Sequence, residues 1–334
     1  MIQTLELKNF KSFLDQKFDF KPLTIFAGIN ASGKSSITEA IDFLHSDCCK
    51  ERSDYDNRAF CLNDLKSKLT KDLYYNISAL WNNKNYSIEI DLTDEIPAIG
   101  FNQNDLTRTD LQILAASRIG SREYYPLQPL SKDPFLDRNG LFVFDYILKI
   151  DEKHEKIPDI LKHDISISFK DNLNDWLQII SPHSNLSIDI TKDRKNAKPY
   201  YNDIEAEETG FGISYSLPII AALLDTSIKT LIIDSPEAHL HPKGQAELCK
   251  LVARAVSSGK QVILETHSDH IIDGIRIAVK NRFISNKDTN IFFLERDVNS
   301  PTKVTEITID SYGNLSDWPE SFFDQGLIDA GELL

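Results

Sequence analysis

The chain has 334 residues, of which 41% are hydrophobic and 10% aromatic, and its formal net charge is −14. This is enough apolar material for the core of one large domain or two ordinary ones. No apolar run approaches the roughly 20 residues of a membrane-spanning helix, and the N-terminus lacks the basic start and apolar segment of a signal peptide. We therefore expect a globular, cytoplasmic protein whose surface is not broadly basic, although a local basic stripe could still hold nucleic acid.

Cysteine usage argues against disulfide and zinc chemistry. The four cysteines, Cys48, Cys49, Cys61 and Cys249, form no C-x-x-C pair, and two of them are neighbours in the sequence. This pattern suits reduced thiols better than a disulfide framework or a zinc site.

The N-terminal segment predicts two strands and a helix. Alternation over residues 2–8 predicts a half-buried strand, and residues 18–28 predict a second strand that ends at Gly28. Residues 34–44 predict a helix with one apolar face. The apolar positions of this face are Ile37, Ala40, Ile41 and Leu44.

The composition and pattern of the remaining sequence change twice along the chain. Residues 45–205 are polar and irregular, with short strand-like segments but no sustained heptad repeat, whereas helices and strands alternate beyond Gly210. This alternation indicates an α/β fold in which helices flank a mostly parallel sheet. We predict one nucleotide-binding domain, split between residues 1–45 and 205–334, and an inserted α+β region over residues 46–204. The later predicted elements are a helix at 214–225, a strand at 230–235, a helix at 242–259, and strands at 261–266 and 290–295 with another helix between them.

The segment GINASGKS, residues 28–35, fits the phosphate-loop pattern G-x-x-x-x-G-K-[ST] directly after a predicted strand and before a predicted helix. In such a loop, backbone N–H groups and the positive end of the helix surround phosphates, while Lys34 supplies a cation and Ser35 holds magnesium. A chance glycine turn that caps a helix is the alternative, and the strand–loop–helix context disfavours it. The predicted nucleotide-binding residues here are Gly28, Asn30, Ala31, Ser32, Gly33, Lys34, Ser35 and Ser36.

The segment LIIDSPEAHLHP, residues 231–242, is an apolar strand that ends in carboxylates. Asp234, at the end of the strand, is the acid predicted to bind magnesium. Glu237 is predicted to orient or deprotonate the attacking water. The alternative is that both acids only begin the following helix, since carboxylates favour a first turn. The phosphate loop elsewhere in the chain favours the functional interpretation.

The strand VILETHSDH, residues 262–270, ends at a histidine. His267 is predicted to reach the γ-phosphate and report its presence, although alone it would be interpreted as a surface-loop histidine. The pairs His239/His241 and His267/His270 do not predict a metal site, because no third ligand follows at a known spacing.

Together these segments resemble the ATP-binding-cassette (ABC)-type ATPases of the SMC and RecF branch, and within it the heads of overcoming-lysogenization-defect (OLD-like) proteins. The opening LELKNFKSF looks like the start of that branch, where the loop NFKSF folds against the nucleotide, so the resemblance makes Lys11 an expected phosphate contact. PEAHLHP and ETHSDHII look like the family's Walker B region with its D-loop, and its switch histidine. The resemblance covers about the first 45 and the last 130 residues, and it implies an ABC-ATPase-type P-loop NTPase head that takes ATP and Mg²⁺.

The family's signature segment corresponds to TGFGISYSLPIIAALL, in which Gly210 and Gly212 open a helix. In relatives this loop faces the γ-phosphate bound to a second protomer, so the resemblance implies a homodimer with ATP at its interface. Gly210 stands where a serine is typical, which leaves Thr209 or Ser214 as alternatives for the hydrogen bond across the dimer.

The Walker B region departs from the family pattern at one position. Ser235 replaces the glutamate or asparagine that usually follows the Walker B acid. A serine hydroxyl does not take a proton at neutral pH, so Glu237 is the expected base and slow turnover is the expected consequence.

The C-terminal IDSYGNLSDWPESFFDQ resembles a tail on a subset of these ATPases in prokaryotes, many of them beside nuclease or toxin genes in phage-defence loci. Its aromatic residues Trp318, Phe322 and Phe323 recur at helical spacing, and packing onto the sheet is at least as expected as a docking site. OLD proteins continue into a TOPRIM nuclease domain, and we expect an ATPase without one.

These observations predict an ATPase switch: two protomers close on ATP and Mg²⁺, hydrolysis separates them, and the cycle gates a partner effector, a nuclease or toxin, in phage defence. The alternative is a RecF-like DNA-repair or DNA-binding ATPase, and a stand-alone nuclease is less favoured because its acids lie among lysines as surface residues do. The basic positions that could bind DNA are Lys192, Arg194, Lys195 and Lys198. The acids that a nuclease would use are Asp54, Asp56, Asp91 and Asp94.

Overall fold

The computed structural model divides the chain into two units. The described residues are 1–48, 62–93, 98–101, 105–129, 133–154, 156–163, 168–319, 322–323 and 331–333. Unit 1 consists of Met1–Leu111, Ile263–His267 and Ser285–Leu334, and unit 2 consists of Gln112–Val262 and Ser268–Ile284.

The elements follow one another in chain order. The strands are β1 (Ile2–Phe10), β2 (Phe13–Asp19), β3 (Leu23–Gly28), β4 (Tyr74–Trp81), β5 (Lys84–Asp91), β6 (Ala98–Phe101), β7 (Gln112–Leu114), β8 (Tyr125–Pro126), β9 (Leu186–Ile190), β10 (Asn196–Tyr201), β11 (Ile204–Glu205), β12 (Thr230–Asp234), β13 (Gln261–Thr266), β14 (Thr289–Glu295) and β15 (Lys303–Ile307). The helices are α1 (Lys34–Cys48), α2 (Leu62–Leu65), α3 (Val143–Glu152), α4 (Phe169–Ile180), α5 (Phe211–Leu224), α6 (Pro242–Ser257) and α7 (Asp269–Lys280).

Unit 1 contains an antiparallel sheet with the strand order β2-β1-β4-β5-β6. Burial alternates along β4 and β5, as expected of strands with one face on the core. β1 pairs with β2 on one side and with β4 on the other. Strands that follow residue 45 therefore pair directly with the N-terminal strand.

The second sheet of unit 1 positions the phosphate-loop segment. Within this unit its strand order is β15-β14-β3-β13, and β14 runs parallel to β3 and antiparallel to β15. β3 is buried from Leu23 to Ala27, as is typical of a strand inside a parallel sheet. The rings of Phe18, Phe26 and Phe292 pack with centroids 5.3 to 5.6 Å apart. This aromatic cluster fixes β3, and with it the start of the loop that follows.

Unit 2 combines a parallel strand pair with packed helices. β12 runs parallel to β7, and β10 pairs antiparallel with β8, β9 and β11. α5 is buried along its whole C-terminal half, because its sequence is apolar on every face. Glycines allow the helices to approach closely: a Cβ at Gly244 of α6 would lie 2.5 Å from the carbonyl oxygen of Ile180, and one at Gly274 of α7 would lie 2.7 Å from Cys249 Sγ.

The parallel strands with flanking helices confirm the predicted α/β class with a mostly parallel sheet. The apolar face of α1 is also confirmed, since all four predicted positions are at most 1% exposed. The single strand predicted over residues 18–28 is wrong, because the chain leaves the antiparallel sheet at Asp19 and enters the parallel sheet at Leu23. Thr24 Oγ1 stabilises the turn between them by accepting a hydrogen bond from the backbone N–H of Lys21.

The C-terminal aromatic residues pack rather than form a helix. Phe322 is fully buried against Phe293 of β14, with ring centroids 5.2 Å apart, and Trp318 contacts Phe322 at the same distance. The described residues 317–319 and 322–323 are not helical, so the helical spacing was misleading while packing onto the sheet is confirmed for Phe322. The predicted division into a split head and an insertion stays a prediction.

No helix in the described part of the chain is long and apolar enough to cross a membrane.

Candidate functional site

The loop between β3 and α1 closes around the side chain of Lys34. Its Nζ donates hydrogen bonds of 2.8 Å to the backbone carbonyls of Gly28 and Ile29, and the residue is only 4% exposed. Gly28 has φ +148°, and a Cβ there would lie 2.2 Å from the carbonyl oxygen of Leu294. Only glycine therefore fits at the start of this loop.

Two hydroxyl side chains support the loop from outside the motif. Thr302 Oγ1 lies 2.7 Å from the carbonyl oxygen of Ser32 and 2.8 Å from Ser12 Oγ. A Cβ at Gly33 would approach both hydroxyls to 2.9 Å. Sequence reasoning missed both supports, because Thr302 lies far along the chain and no local pattern marks it.

A cavity of 390 Å³ lies over this loop, within unit 1. It brings together the predicted Lys11, the loop residues and His267, which lies at the exposed end of β13. Gly28 is not among the lining residues, and its carbonyl accepts a hydrogen bond from Lys34. The lining residues are Lys11, Ser12, Asn30, Ala31, Ser32, Gly33, Lys34, Ser35, Ser36, Asp64, Lys66, Lys68, Leu69, Glu265, His267 and Arg296.

Cationic side chains outnumber carboxylates in this lining. The carboxylates are Asp64 and Glu265, and the cations are Lys11, Lys34, Lys66, Lys68 and Arg296. In a chain of net charge −14, such a concentration of positive charge suits a polyphosphate ligand. Lys11 forms an ion pair with Glu39 of α1, so its phosphate contact stays a prediction.

Lys66 and Lys68 reach the cavity through backbone pairing that the sequence did not reveal. The backbone N–H of Lys11 bonds to the carbonyl of Leu65 at 2.8 Å, and that of Ser67 bonds to the carbonyl of Asn9 at 2.7 Å. This pairing fixes the segment beside the turn between β1 and β2. Its alternating lysines were the only sequence signal, and such a pattern is common on exposed surfaces.

Ser35 and Glu265 form the oxygen-rich part of the cavity. Ser35 Oγ donates a 2.6 Å hydrogen bond to Glu265 Oε1, and Glu265 is 3% exposed. Hydroxyl and carboxylate oxygens are the ligand types that Mg²⁺ prefers, so these residues fit a magnesium ion beside phosphates. Sequence reasoning assigned no role to Glu265, although it ends an apolar strand in the same way as Asp234.

The Walker B segment lies in unit 2. Asp234 ends β12, and the next residue, Ser235, has φ +51° and donates a 2.9 Å hydrogen bond from Oγ to Asp234 Oδ1. α6 begins only at Pro242, with His241 as its N-cap. The alternative that Asp234 and Glu237 merely begin this helix is therefore wrong, since both precede its cap.

The two glycines at the start of α5 have different surroundings. A Cβ at Gly212 would lie 2.4 Å from the carbonyl oxygen of His239, whereas one at Gly210, the N-cap, would meet no atom within 4 Å. Between them, Phe211 is 55% exposed and its ring centroid lies 5.7 Å from that of His239. Gly212 therefore packs the helix against the Walker B turn, while Gly210 faces open space.

The two alternatives for the hydrogen bond across a dimer both have partners within unit 2. Thr209 Oγ1 donates to the carbonyl of Ala206 at 2.7 Å, and Ser214 Oγ lies 3.0 Å from Ser121 Oγ. Ser214 is 5% exposed. Either hydroxyl would have to exchange its present partner to serve a second protomer.

The predicted DNA-binding and nuclease residues differ in their surroundings. Lys192, Arg194 and Lys195 are exposed on the turn between β9 and β10, while Lys198 forms ion pairs with glutamates. Asp91 is exposed at the end of β5, and the described residues contain no cluster of three or more potential metal ligands. The other three acids, Asp54, Asp56 and Asp94, lie outside the described residues.

Comparisons with known proteins give a family and a fold for the chain. The family described as "AAA domain, putative AbiEii toxin, Type IV TA system" matches residues 23–273, and one described as "Protein of unknown function (DUF3696)" matches residues 284–333. The chain is 40% identical to a DNA replication and repair protein RecF of Lactococcus lactis over 70 residues, which span 21% of this chain and 19% of RecF. It thus spans only about a fifth of that relative.

Two further similarities extend over most of the chain. An ATP/GTP phosphatase of Helicobacter pylori is 22% identical over 89% of this chain and 93% of its own length. Among solved structures, an Smc head bound to the C-winged helix domain of ScpA has a TM-score of 0.59 at 18% identity, covering 92% of this chain and 98% of its own. An Smc head with an extended coiled coil, bound to the C-terminal domain of ScpA from Pyrococcus furiosus, has a TM-score of 0.57 at 15% identity and covers 99% of both chains. The fold is that of an Smc head domain.

Proposed function

Since the chain belongs to the AAA-domain family that matches residues 23–273, we propose that it binds ATP with Mg²⁺ and hydrolyses it slowly. The observation that carries this proposal is the 390 Å³ cavity, in which the phosphate loop, additional cations and the Ser35–Glu265 pair meet. The similarity to an ATP/GTP phosphatase supports the hydrolytic step.

The predicted residues take distinct roles in this reaction. Lys34 and the backbone N–H groups of the loop would bind the phosphates; Ser35, with Glu265 beside it, and the predicted Asp234 would hold Mg²⁺. Bound Mg²⁺ supplies charge neutralisation at the phosphate oxygens. Glu237 accepts the proton of the attacking water, and His267 contacts the terminal phosphate and reports its presence.

Lys34→Ala tests ATP binding directly. Its ammonium also holds the loop through two carbonyls, so we expect binding of a fluorescent ATP analogue to fall at least about tenfold. Lys17→Ala is the matched control, because Lys17 is an exposed lysine on β2 whose only ion pair is with Glu6 among the described residues. ATP binding that is equal in both variants, or absent from the wild type, would refute the proposal.

We propose further that two copies of the chain close on ATP. The start of α5 leaves Gly210 facing open space beside the exposed ring of Phe211, which suits contact with a second protomer. Glu237→Gln should slow hydrolysis and accumulate an ATP-dependent dimer, measured by light scattering after gel filtration with and without ATP. Unchanged turnover in Glu237→Gln would assign the base to another residue, and a monomer at all ATP concentrations would refute the dimer.

The ATP cycle then gates a partner effector in phage defence. The description of the family names a toxin of a type IV system. This supports a place for the chain in a phage-defence locus. The test is co-purification of the chain with the product of its neighbouring gene, in ATP and in ADP. Binding that is the same in both nucleotides would contradict gating.

A DNA-binding ATPase is the second candidate, favoured by the similarity to RecF and by the exposed turn that carries Lys192, Arg194 and Lys195. Phosphate contacts release counterions, so DNA binding by the ATP-bound protein should weaken steeply with salt. Replacing the three cations by alanine should reduce the salt dependence. No binding at low salt would reject this candidate.

A further inference from the structure

Arg118 is a buried arginine whose hydrogen bonds end on the Walker B turn. It is 2% exposed, and its guanidinium donates to the backbone carbonyls of Asp234 and Ser235, each at 2.7 Å. A further 2.7 Å bond ties it to the carbonyl of Ala115 at the end of its own segment. The side chain thus bridges the segment after β7 to the turn after β12.

The turn that Arg118 holds has a conformation that needs support. Ser235 has φ +51°, a left-handed backbone that residues with a Cβ adopt at a cost. Its carbonyl and that of Asp234 are oriented toward the same guanidinium, whose planar array of donors is suited to fixing two acceptors at once. The direction of the Asp234 and Glu237 carboxylates depends on this backbone.

Arg118 also reaches α5 near its N-terminal end. Its Nε donates to the carbonyl of Tyr215 at 3.2 Å, and its guanidinium carbon lies 5.5 Å from the centroid of the Tyr215 ring. The same segment packs Gly120 against Phe211, where a Cβ would lie 2.1 Å from the ring. One side chain therefore links the Walker B turn to the helix whose start carries Gly210.

The guanidinium of Arg118 stays charged despite its burial. Burial lowers the pKa of Arg118 to about 10, while the nearby Asp234, Tyr215 and Glu237 act in the opposite direction. At neutral pH the guanidinium is still protonated and keeps all of its donors.

We infer that Arg118 is a positioning residue for ATP hydrolysis, which holds the backbone that presents Asp234 and Glu237 and joins it to the start of α5. This inference rests on the proposed function. Sequence reasoning gave Arg118 no role, because its partners are backbone carbonyls distant along the chain.

The experiment compares Arg118→Met with Arg254→Met in the full-length chain. Arg254 is the matched control, since it also donates to a backbone carbonyl, that of Lys162, and lies over an aromatic ring, Trp176, but on the helix layer of unit 2. Loss of a side chain that orients catalytic groups typically lowers activity about 10- to 100-fold. We expect kcat to fall by that factor in Arg118→Met, with the Kd for ATP changed less than about twofold, and kcat to stay at the wild-type value in Arg254→Met.

Two further variants separate positioning from folding. Arg118→Lys keeps the charge but not the planar array of donors, so its kcat should lie between those of the wild type and Arg118→Met. In Arg118→Ala, added methylguanidinium should raise kcat, whereas it should not do so in Arg254→Ala. If Arg118→Met fails to fold, these two variants still decide the question.

The outcomes distinguish the inference from the proposed function. A wild-type chain that does not hydrolyse ATP refutes the proposed function and this inference with it. A wild-type chain that hydrolyses ATP overturns the inference alone if Arg118→Lys retains full kcat and methylguanidinium has no specific effect. Equal loss of kcat in the Arg118 and Arg254 variants would also overturn it, because the effect would then be one of stability.

Discussion

Gly210 and Gly212 provide a paired test of what the start of α5 does. Alanine at Gly212 would place a Cβ 2.4 Å from the carbonyl oxygen of His239, about 1 Å closer than ordinary contact allows. The backbone fixes the position of a Cβ, and the carbonyl belongs to the backbone, so neither atom can rotate away. Alanine at Gly210 would meet nothing within 4 Å, and this residue has an extended conformation with φ −65° and ψ 144° that alanine adopts freely.

The expected magnitudes follow from these distances. Overpacking costs about 1–3 kcal/mol, and the better helix propensity of alanine returns about 0.5–1 kcal/mol. We therefore expect Gly212→Ala to lower the free energy of unfolding by roughly 1–2 kcal/mol. For Gly210→Ala, the loss of a favourable N-cap and the lower entropy of the unfolded chain nearly cancel, so the change should stay within about 0.5 kcal/mol.

Urea denaturation followed by circular dichroism measures both changes, and light scattering with ATP measures the dimer. Gly212→Ala should lose stability, whereas Gly210→Ala should keep its stability and lose ATP-dependent dimerisation, because its methyl group would face the second protomer. Equal stability of the two variants would refute the packing argument. A Gly210→Ala dimer that forms at wild-type ATP concentrations would refute the place assigned to the partner.

Four other substitutions test single side chains. Burial lowers the pKa of Lys260 from its ordinary value of 10.5 to about 7. The unfolded chain therefore binds more protons between these two pH values, and the free energy of unfolding should rise with pH by up to about 1.4 kcal/mol per unit. Lys260→Met should remove this rise, which urea denaturation at pH 7 and 9 measures; an unchanged slope would contradict it. Thr302→Val removes the hydroxyl beside the Ser32 carbonyl and should lower the free energy of unfolding by about 1 kcal/mol. It should also weaken ATP binding, which calorimetric titration measures. Wild-type affinity for ATP would exclude a role of Thr302 in the loop. Lys66→Ala and Lys68→Ala should each raise the KM for ATP up to about fivefold, less at high salt; a KM independent of both residues would remove them from the site.

The phosphate-loop segment was predictable because its sequence signals are local. Its glycines, its lysine and the buried strand before it lie within one stretch of sequence. The carbonyl of Leu294, far along the chain, leaves no room for a Cβ at residue 28, so only glycine fits there. The α/β class was predictable for the same reason, since the periodicity of apolar residues within each segment indicates a strand or a helix. The turn at Lys21 was missed because two adjacent strands that belong to different sheets look like one apolar run.

The supports of the site were not predictable, because they depend on contacts between distant parts of the chain. Thr302 reaches the loop from the start of β15, and Lys66 reaches the cavity by pairing with the turn after β1. Arg118 donates to backbone carbonyl oxygens, which every residue has. The identity of its partner residues therefore gives no sequence signal. Such side chains carry no motif, and only the folded backbone identifies them.

The serine after the Walker B acid has a structural explanation that bears on the choice of base. The Ser235 hydroxyl donates a hydrogen bond to the Asp234 carboxylate, and the Ser235 carbonyl accepts one from Arg118. The backbone of Ser235 is left-handed. Ser235 therefore orients the acid but has no group that accepts a proton at neutral pH. Glu237 is the next carboxylate in the same turn, is half-buried, and acts electrostatically on Arg118. We expect the base to act from this displaced position, which makes the rate sensitive to the turn's backbone and hence to Arg118.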